Sequence, residues 1–188
     1  MFKIALLPGH NGVKGVGDCG ASTVIATEFD VVKDVVSKVW KSVISQTNSR
    51  VYLIHRGIDK GSYSKLPSEL NEIGPDLIIE VHLNAASNTA VQGSEVLYWN
   101  TSKKGKEYAS IIQKYLVSEI GSKDRGLKPL TVDDRGANLL RNTKAPAVIV
   151  EGFFLTGCSS ETQLVELANK YVIALEKAIL EIINKNNK

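Results

Sequence analysis

The stretch DLIIEVHLN, residues 76–84, decides the fold. Read with the period of two that a strand imposes, Leu77, Ile79, Val81 and Leu83 share one face, and Ile78, Glu80, His82 and Asn84 share the other. It begins as an apolar run and ends in groups that no hydrophobic core requires, which predicts a buried strand whose far end carries chemistry. In an open α/β sheet, ligands gather beyond the carboxyl ends of the parallel strands, so His82 points toward the expected site. A satisfied core or rim histidine is the plainer reading of His82 taken alone. Two further segments finish in the same way, LLPGH at residues 6–10 and VIVEG at residues 148–152.

Working outward, Phe2 to Leu7 reads as a first strand, followed by a glycine-rich loop from Pro8 to Gly20. Glycine there lets backbone approach a ligand closely, but the loop lacks the glycine-lysine-serine/threonine ending of a phosphate loop, and GVKGVG fits a dinucleotide fingerprint poorly. Ser22 or Thr23 is expected to cap a helix running to about Ser45, with Val24, Val31, Val35, Val39 and Val43 at helical spacing. Glu28 falls on that same stripe. A buried carboxylate costs several kcal/mol unless it is paired or bound to a metal, the alternative being a helix-start glutamate at the edge of the stripe.

Arg50 to Ile54 reads as a second strand, His55 to Ser64 as a polar loop, and Leu66 to Ile73 as a short helix stopped by Gly74-Pro75. Beyond the central strand, Ser94 to Trp99 alternates as another strand and Lys104 to Ile120 is helical. Gly121 to Asn138 reads as a polar crossing without a clear element. Ala147 to Glu151 is the last strong strand, Phe153 to Ser160 a loop, and Glu161 to Asn184 an amphipathic helix with a frayed tail at 184–188. Strands alternating with helices predict an α/β fold of three layers, a twisted and mostly parallel sheet with helices on both faces.

Length and composition set the outer bounds. At 188 residues the chain suits one domain, 1–188, and a net charge of +3 with hydrophobic content of 43% is ordinary for a soluble globular protein. Basic residues are scattered and partly matched by acids, which argues against a nucleic-acid partner. The opening MFKIALLPGH has too short an apolar run for a secretory signal, and no stretch reaches a membrane span. Cys19 and Cys158 are too few for a disulfide framework and are expected to be free thiols.

The predicted sheet brings His10, His82 and Glu151 to one rim, with Glu28 near the start of the helix after the first loop. Two imidazoles and two carboxylates of this kind suit a catalytic zinc site, in which three protein ligands leave a position open and a further carboxylate handles protons.

LLPGHNG, the Glu28 helix, IIEVHLNA with QGSEVLYW, DRGLKPL and APAVIVEGFF together resemble, in order and spacing, the motifs of the zinc-dependent N-acetylmuramoyl-L-alanine amidases. The resemblance runs from Lys3 to about Leu167. It implies zinc held by His10, Glu28 and His82, with Glu151 as the catalytic carboxylate, and a twisted sheet with helices on both sides. It also implies peptidoglycan as substrate, hydrolysed at the amide between N-acetylmuramic acid and L-alanine. Asn84 and Arg125 are implied as substrate contacts, although Asn84 also suits a strand-end turn.

Three departures accompany the resemblance. Glu80 stands where the family usually has Ser, and it is expected either to orient a ligand or to lie deeper in the cleft. Leu155-Thr156-Gly157-Cys158 replaces a Ser/Asn-type loop, and His55, where the family tends to place Thr, reads as structural or rim. Cys19 is a rival ligand, since zinc amidases of the unrelated phage-lysozyme type use a thiolate. The expected role is a phage or prophage endolysin released to the wall, or a module of a secreted autolysin, working as a monomer without membrane insertion. Another zinc metallopeptidase on a related sheet and a non-catalytic wall-binding descendant are the alternatives.

Overall fold

In the computed structural model, which describes residues 1–12, 15–57, 62–134 and 136–187, the alternation of strands and helices becomes a six-stranded sheet. The strands are β1 (Lys3–Pro8), β2 (Arg50–Leu53), β3 (Leu77–Asn84), β4 (Ser94–Trp99), β5 (Asp124–Leu130) and β6 (Ala147–Phe154). Their order across the sheet is β2-β1-β3-β6-β4-β5, with every pairing parallel except β4 against β6. A parallel return needs a crossover of roughly a dozen residues or more, and the link at 85–93 is too short for one. β4 therefore runs back against its neighbour.

The helices are α1 (Glu28–Gln46), α2 (Ser62–Ile73), α3 (Lys103–Tyr115), α4 (Ala137–Asn142) and α5 (Glu161–Asn186). The period-two reading of β3 holds. Leu77, Ile79, Val81 and Leu83 pack with α1, α3 and α5, whereas Ile78 packs with α2 and α4 on the opposite face. Fully burying a side chain of this size stabilises by about 1.5–3 kcal/mol, so the apolar residues of β3 fix the strand that carries Glu80 and His82. The fold is a three-layer α/β arrangement, and its C-terminal strand ends meet the N-terminus of α1.

Several segments differ from expectation. The helix expected from Ser22 or Thr23 starts at Glu28, because the Thr23 hydroxyl accepts from Ile25 and Ala26 and closes a turn instead. Val24, assigned to the buried stripe, is fully exposed, and Thr27 is the residue that caps the helix. The crossing at 121–138 contains β5, an edge strand half-buried and interrupted by Gly126 and Pro129, and the start of α4. Its composition hides the strand.

α2 begins at Ser62 and takes Pro67 into its interior. Proline cannot donate to the carbonyl four residues back, and Asn138 supplies that bond instead, donating to the Tyr63 carbonyl at 3.2 Å. β6 continues past Glu151 to Phe154, followed by a 3-10 turn at Leu155–Gly157. The closing helix extends beyond the expected fraying point to Asn186, and Asn187 accepts from the Phe2 backbone, tying the end down through residue 187. Parts of the glycine-rich loop at 13–14, of the polar loop at 58–61, of the crossing at 135 and of the tail at 188 lie outside the described residues.

Candidate metal centre

Glu28 is the first residue of α1 and is 3% exposed. A carboxylate at a helix N-terminus meets the positive end of the helix dipole, but burial still demands partners. It has four. Oε1 accepts from the Leu83 backbone at 2.9 Å and faces His82 Nδ1 at 2.9 Å, while Oε2 accepts from the Ala21 backbone at 2.9 Å and faces His10 Nε2 at 3.1 Å. Burial alone would raise the Glu28 carboxyl, yet the contacts from His10 and His82 outweigh it and hold the group well below the usual carboxylate range.

His10 follows β1 in the left-handed region at φ 25, a conformation uncommon for residues other than glycine, although Asn, Asp and His enter it more often than the rest. Gly9, just before it, donates to the Val81 carbonyl at 2.7 Å and leaves room for the His82 ring. A Cβ on Gly9 would lie 2.2 Å from His82 Cε1. Gly20, at φ 69, leaves the corresponding space beside Glu28 and His10, where a Cβ would approach to 2.4 Å. The two imidazoles meet edge to face with centroids 5.0 Å apart. Burial lowers the tendency of each ring to hold a proton, but the Glu28 carboxylate reverses the balance and raises both.

His10, Glu28 and His82 each offer one donor atom, all within 4.8 Å of one another, and no other group of three or more metal-binding side chains occurs among the described residues. Two nitrogens and a carboxylate oxygen suit zinc, whose catalytic sites take three protein ligands of this kind. Cys19 does not join them, and it and Cys158 are both free thiols.

Glu151 is opposite His82 in the β3–β6 register, just before the pairing slips between His82 and Asn84. Such an irregularity re-aims side chains at a strand end. Glu151 Oε2 is closed off from solvent and accepts no hydrogen bond. Burial pushes this carboxyl up to about 7, with nearby Glu28 and Glu95 adding to the rise and His82 opposing it. The three ligand candidates and Glu151 line one cleft of about 960 Å³ on the side of the sheet that α2 and α4 cover.

The sequence-predicted substrate residues take a shared position. Asn84 lines the cleft and donates to Glu95 Oε1 at 2.7 Å, while Arg125 Nε donates to Glu95 Oε2 at 2.8 Å and stacks over Phe154. Glu95, which links them, was not singled out from sequence, although its place beside Glu151 follows once β4 is known to pair with β6. Asp18 was also missed, and its Oδ2 lies 2.9 Å from His10 Nδ1. An aspartate in a glycine-rich loop carries no signal beyond that of a turn former. Tyr171 of α5 donates to the Val150 carbonyl at 2.9 Å and fills the space that Gly152 leaves, bracing β6 beside the site. His55 is exposed and lies outside the cleft lining.

Known proteins resemble this chain in sequence and fold. The profile described as N-acetylmuramoyl-L-alanine amidase matches residues 4–185. The amidase LytC of Bacillus subtilis (strain 168) is 28% identical over 148 residues, covering 76% of this chain and 27% of LytC. The chain thus spans about a quarter of the length of that relative. Among solved structures, an N-acetylmuramoyl-L-alanine amidase from Clostridium difficile 630 matches with a TM-score of 0.83 at 23% identity over 97% of each chain, a likeness of fold. The catalytic domain of the CD27L endolysin targeting Clostridia Difficile matches with a TM-score of 0.78 at 27% identity, covering 96% of this chain and 98% of that one. With its profile match running across nearly the whole chain, the protein belongs to the N-acetylmuramoyl-L-alanine amidase family.

Proposed function

We propose that residues 1–188 form one catalytic domain that hydrolyses the amide between the lactyl group of N-acetylmuramic acid and the L-alanine of the stem peptide, with zinc as its metal. The family to which the chain belongs supports that chemistry; the activity, its substrate, the metal and the role of each residue are the proposed part. The observation that carries the reading is the meeting of His10, Glu28 and His82 within 4.8 Å beside a Glu151 oxygen that has no hydrogen-bond partner.

His10, Glu28 and His82 would hold the metal, and zinc in such a site acidifies water and polarises a carbonyl. Glu151 takes the proton of the attacking water on its carboxylate and returns it to the leaving amine, a role that suits a carboxyl raised to about 7 by burial. Leu97 and Ile149 give the cleft an apolar floor beside the site. Asn84 contacts the substrate from the cleft wall, and Arg125 does so from beside Glu95.

The domain works on the wall as a monomer, in the manner of an endolysin or as the catalytic module of an autolysin. No described helix is long and apolar enough to cross a membrane. The decisive experiment couples metal analysis of the purified protein to mass spectrometry of digested peptidoglycan. Free N-terminal L-alanine on released stem peptides, together with intact N-acetylmuramic acid, supports the reading; cleavage inside the peptide or between the sugars refutes it.

A further inference from the structure

Glu80 is left without a task by the reaction described above, although it is 2% exposed and lines the cleft. Its Oε2 accepts no hydrogen bond, and a buried carboxylate in that condition is costly. Among the described residues, His82 Nε2 approaches it at 3.4 Å. Because Glu80 and His82 are two residues apart on one strand face, the contact follows directly from the geometry of β3.

We infer that Glu80 is a positioning residue for His82: its carboxylate takes the Nε2–H of the ring, so that Nδ1 is the nitrogen presented to the metal. This rests on the metal reading given under the proposed function. The His82 ring lies between two carboxylates, with Nδ1 2.9 Å from Glu28 Oε1 and Nε2 facing Glu80. Rotating the ring by half a turn would put carbon atoms against both carboxylates, and both contacts would be lost. Gly9 closes the remaining direction, since the ring already occupies the space of a Cβ there.

His10 has the same plan in mirror image. Its Nε2 faces Glu28 and its Nδ1 faces Asp18 at 2.9 Å. The two backing carboxylates differ in exposure, however. The Asp18 side chain is 61% exposed, so water can replace it, whereas Glu80 behind His82 is 2% exposed. Metal-binding histidines commonly donate their second N–H to a carboxylate, which fixes the ring and raises its basicity as a ligand.

The test compares the parent with Glu80→Ala and Glu80→Gln by zinc dissociation constant, measured by chelator competition, and by NMR of the His82 ring in zinc-loaded protein. Glu80→Ala is expected to weaken zinc binding by about 10–100-fold and to expose the Nε2–H to rapid solvent exchange. Glu80→Gln keeps an acceptor of neutral charge and should fall between Ala and the parent. Parental affinity and a protected Nε2–H in Glu80→Ala would overturn the inference. So would a loss of thermal stability in either variant with zinc affinity unchanged, because a merely structural carboxylate behaves that way. Should Glu80→Ala fail to fold, Glu80→Gln decides, and parental affinity there overturns the inference. If the parent itself binds no zinc, the metal reading falls and this one with it; if the parent binds and the variants match it, only the role of Glu80 is wrong.

Discussion

Glu151 stands opposite His82 across the β3–β6 pairing, yet its Oε2 accepts no hydrogen bond while the His82 ring is approached by a carboxylate at each nitrogen. Neighbours on one sheet thus have opposite degrees of constraint. A ligand gains from a fixed orientation, and a group that must take and release a proton gains from an unoccupied lone pair. The surroundings of the two residues thus match the separate roles proposed for them.

The first prediction concerns the metal. Chelation should abolish wall digestion and added Zn²⁺ should restore it, at one zinc per chain. Because the ligands converge only in the folded chain, free zinc at about one hundred times its dissociation constant should stabilise the fold by about 2.7 kcal/mol. A melting temperature indifferent to zinc, or full activity in stripped protein, would contradict this.

Glu28→Ala removes the carboxylate that both histidines face, and it also orphans the Ala21 and Leu83 backbone N–H groups. Each orphaned donor costs about 1–3 kcal/mol, so the variant should lose zinc affinity sharply and also melt earlier. Tight zinc binding in this variant would return Glu28 to a helix-edge role.

What was legible in the sequence follows from how strongly each residue's period constrains it. His82 and Glu80 could be placed because an apolar strand allows only two faces, and the core on either side of β3 confirms both. Glu28 stood out because a carboxylate on a valine stripe needs a reason, even though the helix itself begins six residues after Ser22, where the turn made by Thr23 ends. β5 was not legible, since an edge strand with Gly126 and Pro129 alternates too weakly. Glu95 and Asp18 were hidden for another reason: their partners Arg125 and His10 are distant or loop-borne, and nothing local marks either carboxylate.

Gly9 offers a test of ligand placement that leaves every ligand chemically intact. In Gly9→Ala the new methyl would fall 2.2 Å from His82 Cε1, so the ring must move. Zinc affinity should drop while the content of secondary structure stays the same, as circular dichroism can show. Unchanged zinc binding would mean that His82 tolerates displacement or is not a ligand.

Cys19 and Cys158 should both react with a thiol reagent in the native or the denatured protein without prior reduction, as free thiols do. Burial pushes the Cys158 thiol up, so its reaction should be slower in the folded than in the denatured protein. Blocking Cys19 should leave zinc stoichiometry at one, because that thiol is outside the three-ligand group. Loss of zinc on blocking would restore it as a ligand.

The most discriminating substitution is Glu151→Gln, because proton transfer and metal binding predict different results there. Glutamine keeps the shape of the side chain but cannot take the water's proton, so zinc should remain bound and turnover alone should collapse. General acid–base catalysis contributes about 10²–10⁴-fold, and a loss within that range is expected. The substitution also removes a carboxylate that sits in the field of Glu28 and Glu95, both of which disfavour its charge. Folding stability should therefore hold or rise, in contrast to Glu28→Ala, where it falls. Zinc content, melting temperature and digestion rate measured together on this one variant separate the cases. Zinc lost along with activity would make Glu151 a ligand, and activity kept within a few-fold would hand the proton to another group, with Glu80, a buried carboxylate of β3 that lines the same cleft, the first to test.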